Sequence, residues 1–457
     1  MGTALKTLAF CWLFAGSVRA AAVLPQVFSD HMVLQANMAT PIFGTAAPGE
    51  QVAVAINDQK KTAAADKDGK WTVRLDAMKP GGPFELRVSA TNTLAVKDVL
   101  VGEVWLASGQ SNMKFPLNRA ANAPAEMGQA NFPQIRYTNG SKWVVCSPQT
   151  CGSWSAVAFF FAVELQQHSK SPVGIIETAV NGALCQAFIS KAALDADQQL
   201  LADVSKHNKD DIAIHWNSLL APVAGYGIQG ALWFQGEGNR DFPVTYRKLL
   251  SALIADWRKQ WGQGDFPFLV CQLTNFQQKK PEPWEGKDCA LRESQLKVVQ
   301  AVPNTALVVT VDLNDGTDVH FPNKKPCGQR LALAARGIAY GEKIEYSGPI
   351  FKAAKFEGGK ATVSFTHVGG GLSVKGGTLT GFLLCGADKK WVRAEVAIAG
   401  DEVVVKNDKV AQAVAVRYGW ERNPDCNLYN KEGLPASPFR SDDYINYFTR
   451  DNNPGEG

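Results

Sequence analysis

The chain has 457 residues, 46% of them hydrophobic and 20% charged, with 41 Gly and 23 Pro. That length exceeds what one hydrophobic core usually serves, so two or three structural units are expected. A formal charge of +4 is too small for the basic stripe that holds nucleic acid, and that class of partner is excluded.

The first 21 residues read as a secretory signal peptide. Lys6 supplies a positive charge, residues 8–18 form a short apolar run, and Ser17-Val18-Arg19-Ala20 leads to a cleavage point near Ala20 or Ala21. The run is too short to cross a bilayer, and no later segment reads as a membrane span. Export to a periplasm, a lysosome or the medium is expected, with no choice among them. Cys11 leaves with the signal, so eight of nine cysteines remain, a number that permits disulfides in an oxidising compartment. Cys146 and Cys151 are close enough to close a small loop, and that pair is expected to be bridged. No C-x-x-C spacing occurs and the six histidines are scattered, so no metal or other cofactor is expected.

Residues 22–96 read as an N-terminal β domain. Pro41-Ile42-Phe43-Gly44, Gln51-Val52-Ala53-Val54-Ala55-Ile56, Trp71-Thr72-Val73-Arg74-Leu75 and Phe84-Glu85-Leu86-Arg87-Val88 are strand-like runs between turn signals, the pattern of a small antiparallel sandwich. From 97 to 345 apolar strand-like runs (99–107, 173–180, 230–234, 266–273 and 305–311) alternate with helical stretches (156–168, 244–261, 291–301 and 328–340). Such alternation predicts an α/β domain with a parallel sheet covered on both faces. Residues 346–440 return to β, with 361–365, 381–384 and 402–406 the clearest strands, and 441–457 form a polar tail.

Ligands of an open parallel sheet sit beyond the carboxyl ends of its strands. Ser108-Gly109-Gln110-Ser111-Asn112-Met113 follows the first strand, Asn181-Gly182-Ala183 the second, and Gln235-Gly236-Glu237-Gly238-Asn239 the third. The last strand runs into Asp312-Leu313-Asn314-Asp315-Gly316-Thr317-Asp318-Val319-His320. Polar, glycine-rich segments therefore converge on one edge. A serine in a strand-to-helix turn can expose its hydroxyl while its N–H joins an oxyanion hole, which makes Ser111 the candidate nucleophile; its bland alternative is a helix-capping serine. An unactivated hydroxyl needs a base. His320 is the histidine just past a strand at this edge, whereas His31, His168, His207, His215 and His367 fall in sandwich or helical stretches. Asp318, Asp315, Asp312 and Glu237 are the acids that can orient the imidazole, and a dyad without an acid stays open. Gly182 allows close backbone approach, and the Gln235 amide is a second candidate donor to an oxyanion.

At these residues the chain resembles the sialate O-acetylesterase family of the GDSL/SGNH hydrolase superfamily. The similarity extends from Leu24-Pro25 to Leu434-Pro435-Ala436-Ser437-Pro438-Phe439-Arg440. Its most specific piece is Gly102-Glu103-Val104-Trp105-Leu106-Ala107-Ser108-Gly109-Gln110-Ser111-Asn112-Met113. Trp233-Phe234-Gln235-Gly236-Glu237-Gly238-Asn239 resembles the family's W-Y-Q-G-E-S-N block, and Asp318-Val319-His320-Phe321-Pro322-Asn323-Lys324 its D-I-H-P-x-N-K block. The resemblance implies a flavodoxin-like catalytic domain with accessory sandwich-like β units. It also implies a serine acyl-enzyme with Ser111 as nucleophile, His320 as base and Asp318 as acid. The oxyanion would be held by Ser111 N–H, Gly182 N–H and Gln235, with Asn112, Glu237 and Asn239 in support. Three departures stand out: Phe321 separates His320 from Pro322, Asn181-Gly182-Ala183 replaces G-G-T, and Gly238 replaces a serine.

The implied substrate is an O-acetylated sugar, sialic acid first. An esterase for acetylated xylan or another polysaccharide would use the same machinery, and a carbohydrate-binding protein without turnover is the reading from another class. A sialic acid carries a carboxylate, so an arginine at the site, such as Arg240 or Arg292, would favour it.

Overall fold

In the computed structural model, which describes residues 21–208, 211–283 and 285–444, seven strands build the N-terminal region. They are β1 (Val33–Gln35), β2 (Pro41–Thr45), β3 (Gln51–Ile56), β4 (Gln59–Ala64), β5 (Lys70–Arg74), β6 (Gly81–Ser89) and β7 (Thr93–Gly109). β3 alternates, burying Val52, Val54 and Ile56 while the residues between face outward, as a half-wet sheet requires. β4, Gln-Lys-Lys-Thr-Ala-Ala, buries no residue fully and so carried no hydrophobic signal. β2 pairs with β5; β3 pairs with β4 and β6, and β6 with β7, all antiparallel. The signal-peptide reading (1–21) falls on residues outside those described, apart from Ala21, and so does the tail from 445 onward.

β7 changes character midway. Its first residues alternate beside β6, and from Val99 onward every residue is buried. The expected boundary at 96/97 therefore lies inside one continuous strand. Further along, β7 is the middle of a sheet with β8 (Phe132–Thr138), β9 (Val144–Cys146), β10 (Val173–Glu177), β11 (Gly230–Phe234), β12 (Phe268–Cys271) and β13 (Thr305–Val308). The order is β13-β12-β11-β7-β10-β8-β9, parallel throughout except for β9, which pairs antiparallel with β8. Eight α-helices among the described residues accompany the strands: α1 (Ser111–Lys114), α2 (Ala123–Gly128), α3 (Ala156–Ser169), α4 (Lys191–Ala196), α5 (Gln198–Asn208), α6 (Pro243–Trp261), α7 (Lys287–Ala301) and α8 (Lys325–Ile338).

Strand alternation divides the interior into two cores. Trp105 and Ala107 join the cluster that contains α3 and α8, while Val104 and Leu106 join the one that contains α6 and α7. α3 is apolar nearly all round, as a helix pinned between sheet and α8 must be. Its N-cap, Ser155, accepts from Ala158 N–H at 3.2 Å and donates to Met113 O at 2.5 Å, tying α3 to α1. The short α4 and α5 and the β8–β9 pair were not expected from periodicity.

The C-terminal region is antiparallel. Strands β14 (Ile350–Glu357), β15 (Lys360–Thr366), β16 (Leu372–Val374), β17 (Phe382–Cys385), β18 (Trp391–Arg393), β19 (Glu395–Ala399), β20 (Glu402–Lys406), β21 (Ala415–Tyr418), β22 (Leu428–Asn430) and β23 (Phe439–Arg440) form sheets ordered β14-β15-β20-β19 and β18-β17-β21-β23, plus the pair β16-β22. Val363 and Val403 from the first sheet and Leu384 and Val416 from the second share one core. The molecule is thus a mixed α/β protein with a central mixed sheet and additional antiparallel sheets.

Arg292 on α7 fastens this region to the central sheet. Fully buried, its guanidinium donates to Leu273 O (3.0 Å) and Thr274 O (3.1 Å) after β12, and to Glu421 O and Arg422 O (both 2.8 Å) after β21. This removes Arg292 from consideration as a ligand for a substrate carboxylate. The cysteine expectation is also corrected. All eight cysteines of the described residues are free thiols, Cys146 and Cys151 included. Cys146 Sγ faces Ala130 O at 3.7 Å, and burial pushes its thiol up to about 12; both side chains pack as small apolar groups.

Arg292→Met should lower stability by at least about 2 kcal/mol, because four buried carbonyls lose their donor. Urea unfolding followed by tryptophan fluorescence checks it; an unchanged midpoint would refute the clamp.

Candidate active site

The carboxyl edge of the sheet gathers the chemistry. β7 ends at Gly109, whose φ of +130° and close approach to β11 require glycine: a Cβ there would lie 2.2 Å from Phe234 O. Gln110 N–H donates to Phe234 O at 2.9 Å, and Ser111 opens α1. A first-turn N–H has no acceptor within its own helix, so Ser111 N–H is left for a partner outside it. His320 lies in the loop after β13, three strand positions from β7, and its Nε2 is 2.8 Å from Ser111 Oγ. The 309–320 loop therefore crosses the sheet edge, bringing together two residues that are 209 apart in sequence.

Of the four candidate acids, Asp318 lies beside the imidazole. Its Oδ1 accepts from His320 N–H at 2.8 Å and stands 3.8 Å from Nδ1, an ionic contact longer than a hydrogen bond. Asp312 is committed elsewhere, paired through both oxygens with Arg330 (2.7 and 2.6 Å) and accepting from Tyr429 Oη at 2.9 Å. Asp315 accepts from Thr317 N–H and Oγ1–H, which together hold its carboxyl below the usual carboxylate range. The other histidines of known placement are engaged as well: His31 with Asp98 (2.7 Å), His168 with Glu342 (2.7 Å), His367 with Glu345 (2.8 Å) and His215 against the Phe188 ring.

Glu237 belongs to a polar cluster beneath the Ser111–His320 pair. Asn112, fully buried, donates from Nδ2 to Glu237 Oε1 (2.5 Å) and to Val319 O (3.1 Å), and its Oδ1 accepts from Lys324 Nζ at 2.5 Å. Lys324 is itself fully buried, its ammonium 3.4, 5.0 and 5.6 Å from the ring centroids of Phe321, Phe115 and Phe234. Burial brings the Lys324 ammonium down to about 7, against the opposing pull of the Cys327 thiol and the Glu237 carboxylate. Burial likewise raises Glu237 above the ordinary carboxylate range, opposed by the Asn112 hydrogen bond, and Glu237 Oε2 is buried with no partner. Sequence reasoning gave Lys324 no role. The signal was a lysine following an apolar-rich turn, and Phe321, the residue inserted after His320, supplies the nearest wall of its cage.

Gly182 sits in the turn after β10 at φ +72°, with nothing within 4 Å of where a Cβ would stand, so its backbone faces open space at the same edge. Gln235 departs from expectation. It is fully buried, and its Nε2 donates to Asn239 Oδ1 (2.7 Å) and Ala183 O (3.2 Å). Both amide protons are spent inside the protein, which leaves none for an oxyanion. Asn239 in turn accepts from Cys185 N–H (2.9 Å) and donates to Gln186 Oε1 (3.2 Å). Gln235 and Asn239 thus brace the 181–186 turn that carries Gly182. Arg240, partly exposed beside Asn239, has no ionic partner among the described residues.

Comparison with known proteins identifies the family. Residues 101–336 match the family model described as carbohydrate esterase, sialic acid-specific acetylesterase. Sialate O-acetylesterases from Homo sapiens and Pongo abelii are each 28% identical, the alignments covering 93% of this chain and 92% of theirs. The crystal structure of a carbohydrate acetylesterase from Xanthomonas citri superposes with a TM-score of 0.86 at 38% identity, covering 93% of this chain and all of the other. The matched segment spans more than half of the chain and contains Ser111, Gly182 and His320. The chain is a carbohydrate esterase of the sialic acid-specific acetylesterase family.

Proposed function

We propose that this esterase removes O-acetyl groups from sialic acids through an acetyl-enzyme on Ser111. The observation that carries the reading is the 2.8 Å contact between Ser111 Oγ and His320 Nε2 at the start of a helix. Ser111 Oγ attacks the acetyl carbonyl carbon as His320 Nε2 takes its proton. The negative charge gathers on the carbonyl oxygen, where the N–H groups of Ser111 and Gly182 receive it. Collapse breaks the ester bond, and the sugar oxygen leaves with the proton from His320. Water then attacks the acetylated serine, its proton passing to His320, and acetate departs as Ser111 Oγ recovers a proton. Asp318 acts as a nearby negative charge that stabilises the imidazolium. With the hydrogen-bonding distance missing, its contribution should be smaller than that of a bonded triad acid.

The strand order β10-β7-β11-β12-β13 supports a flavodoxin-like catalytic unit of the SGNH type, flanked by sandwich-like β units near 22–96 and 346–440. The apolar run at 8–18 supports export. No helix of the described residues is long and apolar enough to cross a membrane. The preference for sialic acid over a neutral polysaccharide rests on Arg240, a cation on the loop after β11 with no ionic partner among the described residues, which suits the sugar's carboxylate.

Purified protein should release acetate from O-acetylated sialic acid faster than from acetylated xylan, and Ser111→Ala should lose at least ~10³-fold in kcat. Release from xylan alone would keep the mechanism and replace the substrate; no release from either would return the protein to a binding role. Arg240→Ala should raise KM for the sialate ester about tenfold, the scale of one charge-assisted contact, and leave xylan turnover unaffected. An equal effect on both substrates would rule against Arg240 as the carboxylate ligand.

Lys324 yields a sign-definite test. Its folded pKa of about 7 lies below its ordinary value of 10.5, so between these values the unfolded chain binds more protons on this group. Stability should therefore gain from rising pH on account of Lys324, and Lys324→Met should flatten that slope between about pH 7 and 8, before ordinary thiols titrate. An identical slope in the variant, measured by urea unfolding, would count against a buried ammonium here.

A further inference from the structure

A cleft opens beside the His320 loop, where the segment after β12, the segment after β13 and residues 423–425 of the C-terminal region meet. It consists of two adjoining cavities of about 560 and 400 Å³ that share Lys279, Asp315 and Asn423. β12 and β13 stand two and three strand positions from β7, so the cleft lies roughly 10–14 Å from Ser111 along the same sheet edge. That is too far to hold the acetyl group and near enough to hold what the acetylated sugar is attached to.

Three features of the lining point to one chemistry. The Phe276 ring is half-buried against the cleft and stacks on no other ring among the described residues, leaving an apolar face for the C–H side of a pyranose. Gln277 stands at φ +79°, a left-handed conformation that side-chain-bearing residues seldom adopt. It is held there from both sides, its N–H donating to Gly316 O (2.9 Å) and its carbonyl accepting from Asn423 Nδ2 (2.6 Å). Its side-chain amide, which both donates and accepts, lines the cleft with no partner among the described residues. The charges, meanwhile, balance: Lys279 pairs with Asp425 and Asp312 with Arg330, which leaves one of each sign, Asp315 bonded to Thr317 and Lys375 over the Tyr429 ring. An apolar platform, a free amide and a lining with no excess of either charge suit a neutral, hydroxyl-rich ligand better than a phosphate or a second carboxylate.

We propose that this cleft binds the sugar units adjoining the acetylated one, so that the enzyme reads its substrate as the end of a glycan chain. This deepens the function proposed above and rests on Ser111 and His320 as the reacting pair. Asn423, from the C-terminal region, then has a role in recognition: it holds the strained Gln277 through its carbonyl and reaches Asp315 O at 3.2 Å.

The test compares kcat/KM for O-acetylated sialyllactose with that for free O-acetylated N-acetylneuraminic acid in the wild type, Phe276→Ala and Gln277→Gly. Glycine accepts φ +79° without strain, so Gln277→Gly removes the amide and keeps the fold even if Phe276→Ala proves unstable. The wild type should prefer the trisaccharide, and the ratio should drop about fivefold in each variant, the scale of one lost stacking or amide contact. A wild-type ratio near one, or a ratio unchanged in both variants, overturns the proposal. Saturation-transfer NMR with unacetylated sialyllactose separates the two readings. Binding lost in the variants of a protein that turns over neither ester supports the cleft and sinks the Ser111 mechanism, whereas no binding in the wild type sinks the cleft.

Discussion

The Asn112 side chain is bonded to three chain segments at once. Its amide nitrogen donates to Glu237 on the loop after β11 and to Val319 O on the loop after β13, and its oxygen accepts from Lys324 at the head of α8. Because Asn112 follows Ser111 directly, these bonds set the nucleophile's helix against the loop that delivers His320. An exposed network of this kind would be weakened by water. Here the three phenylalanine rings around Lys324 exclude it, so each bond acts in a medium of low polarity. The same exclusion makes each member costly if left alone, and both ionisable members are pushed toward neutrality.

A second constraint acts along β7. One strand serves the N-terminal sheet with its first half and the central sheet with its second, so the nucleophile's turn is anchored at the far end of a 17-residue element. Glycine at position 109 lets that strand end against β11, and Gln110 Oε1 accepts from Gly236 and Gly238 N–H (3.4 and 3.2 Å), joining the first and third loops. The edge is thus assembled from backbone contacts between loops, and its acid is the loosest part: Asp318 is half in water and bonded to backbone more closely than to the imidazole.

The C-terminal region reaches this edge through buried polar links. Arg292 bridges four carbonyls, Asn275 Nδ2 donates to Asn423 Oδ1 at 2.6 Å, and Gln272 Nε2 donates to Ser437 Oγ at 3.1 Å. Polar links of this density hold one docking geometry, since any slip leaves buried donors unmatched.

Read alone, the chain determined the order of its regions, the strands with strong alternation or continuous apolar runs, and the identity of Ser111, Gly182 and His320 as residues past strand ends. Those features are local: periodicity of two or 3.6 and glycine at turns are written in neighbouring residues. β4 and β9 escaped because an edge strand that buries little needs no apolar period, and β8 because its buried half, Ile135-Arg136-Tyr137-Thr138, mixes polar with apolar residues. The pairing of Cys146 with Cys151 failed because closeness in sequence says nothing about which way two thiols face, and here both pack as apolar groups. Only the tertiary structure decided that Gln235 is spent inside the protein, that Arg292 is a buried clamp, and that Asp312 and Glu237 serve other partners. Each of those assignments depends on at least one donor meeting an acceptor more than ten residues away in the chain. Lys324 is the clearest instance: a lysine in sequence reads as surface, and its burial follows from three phenylalanines that meet only once the sheet edge is assembled.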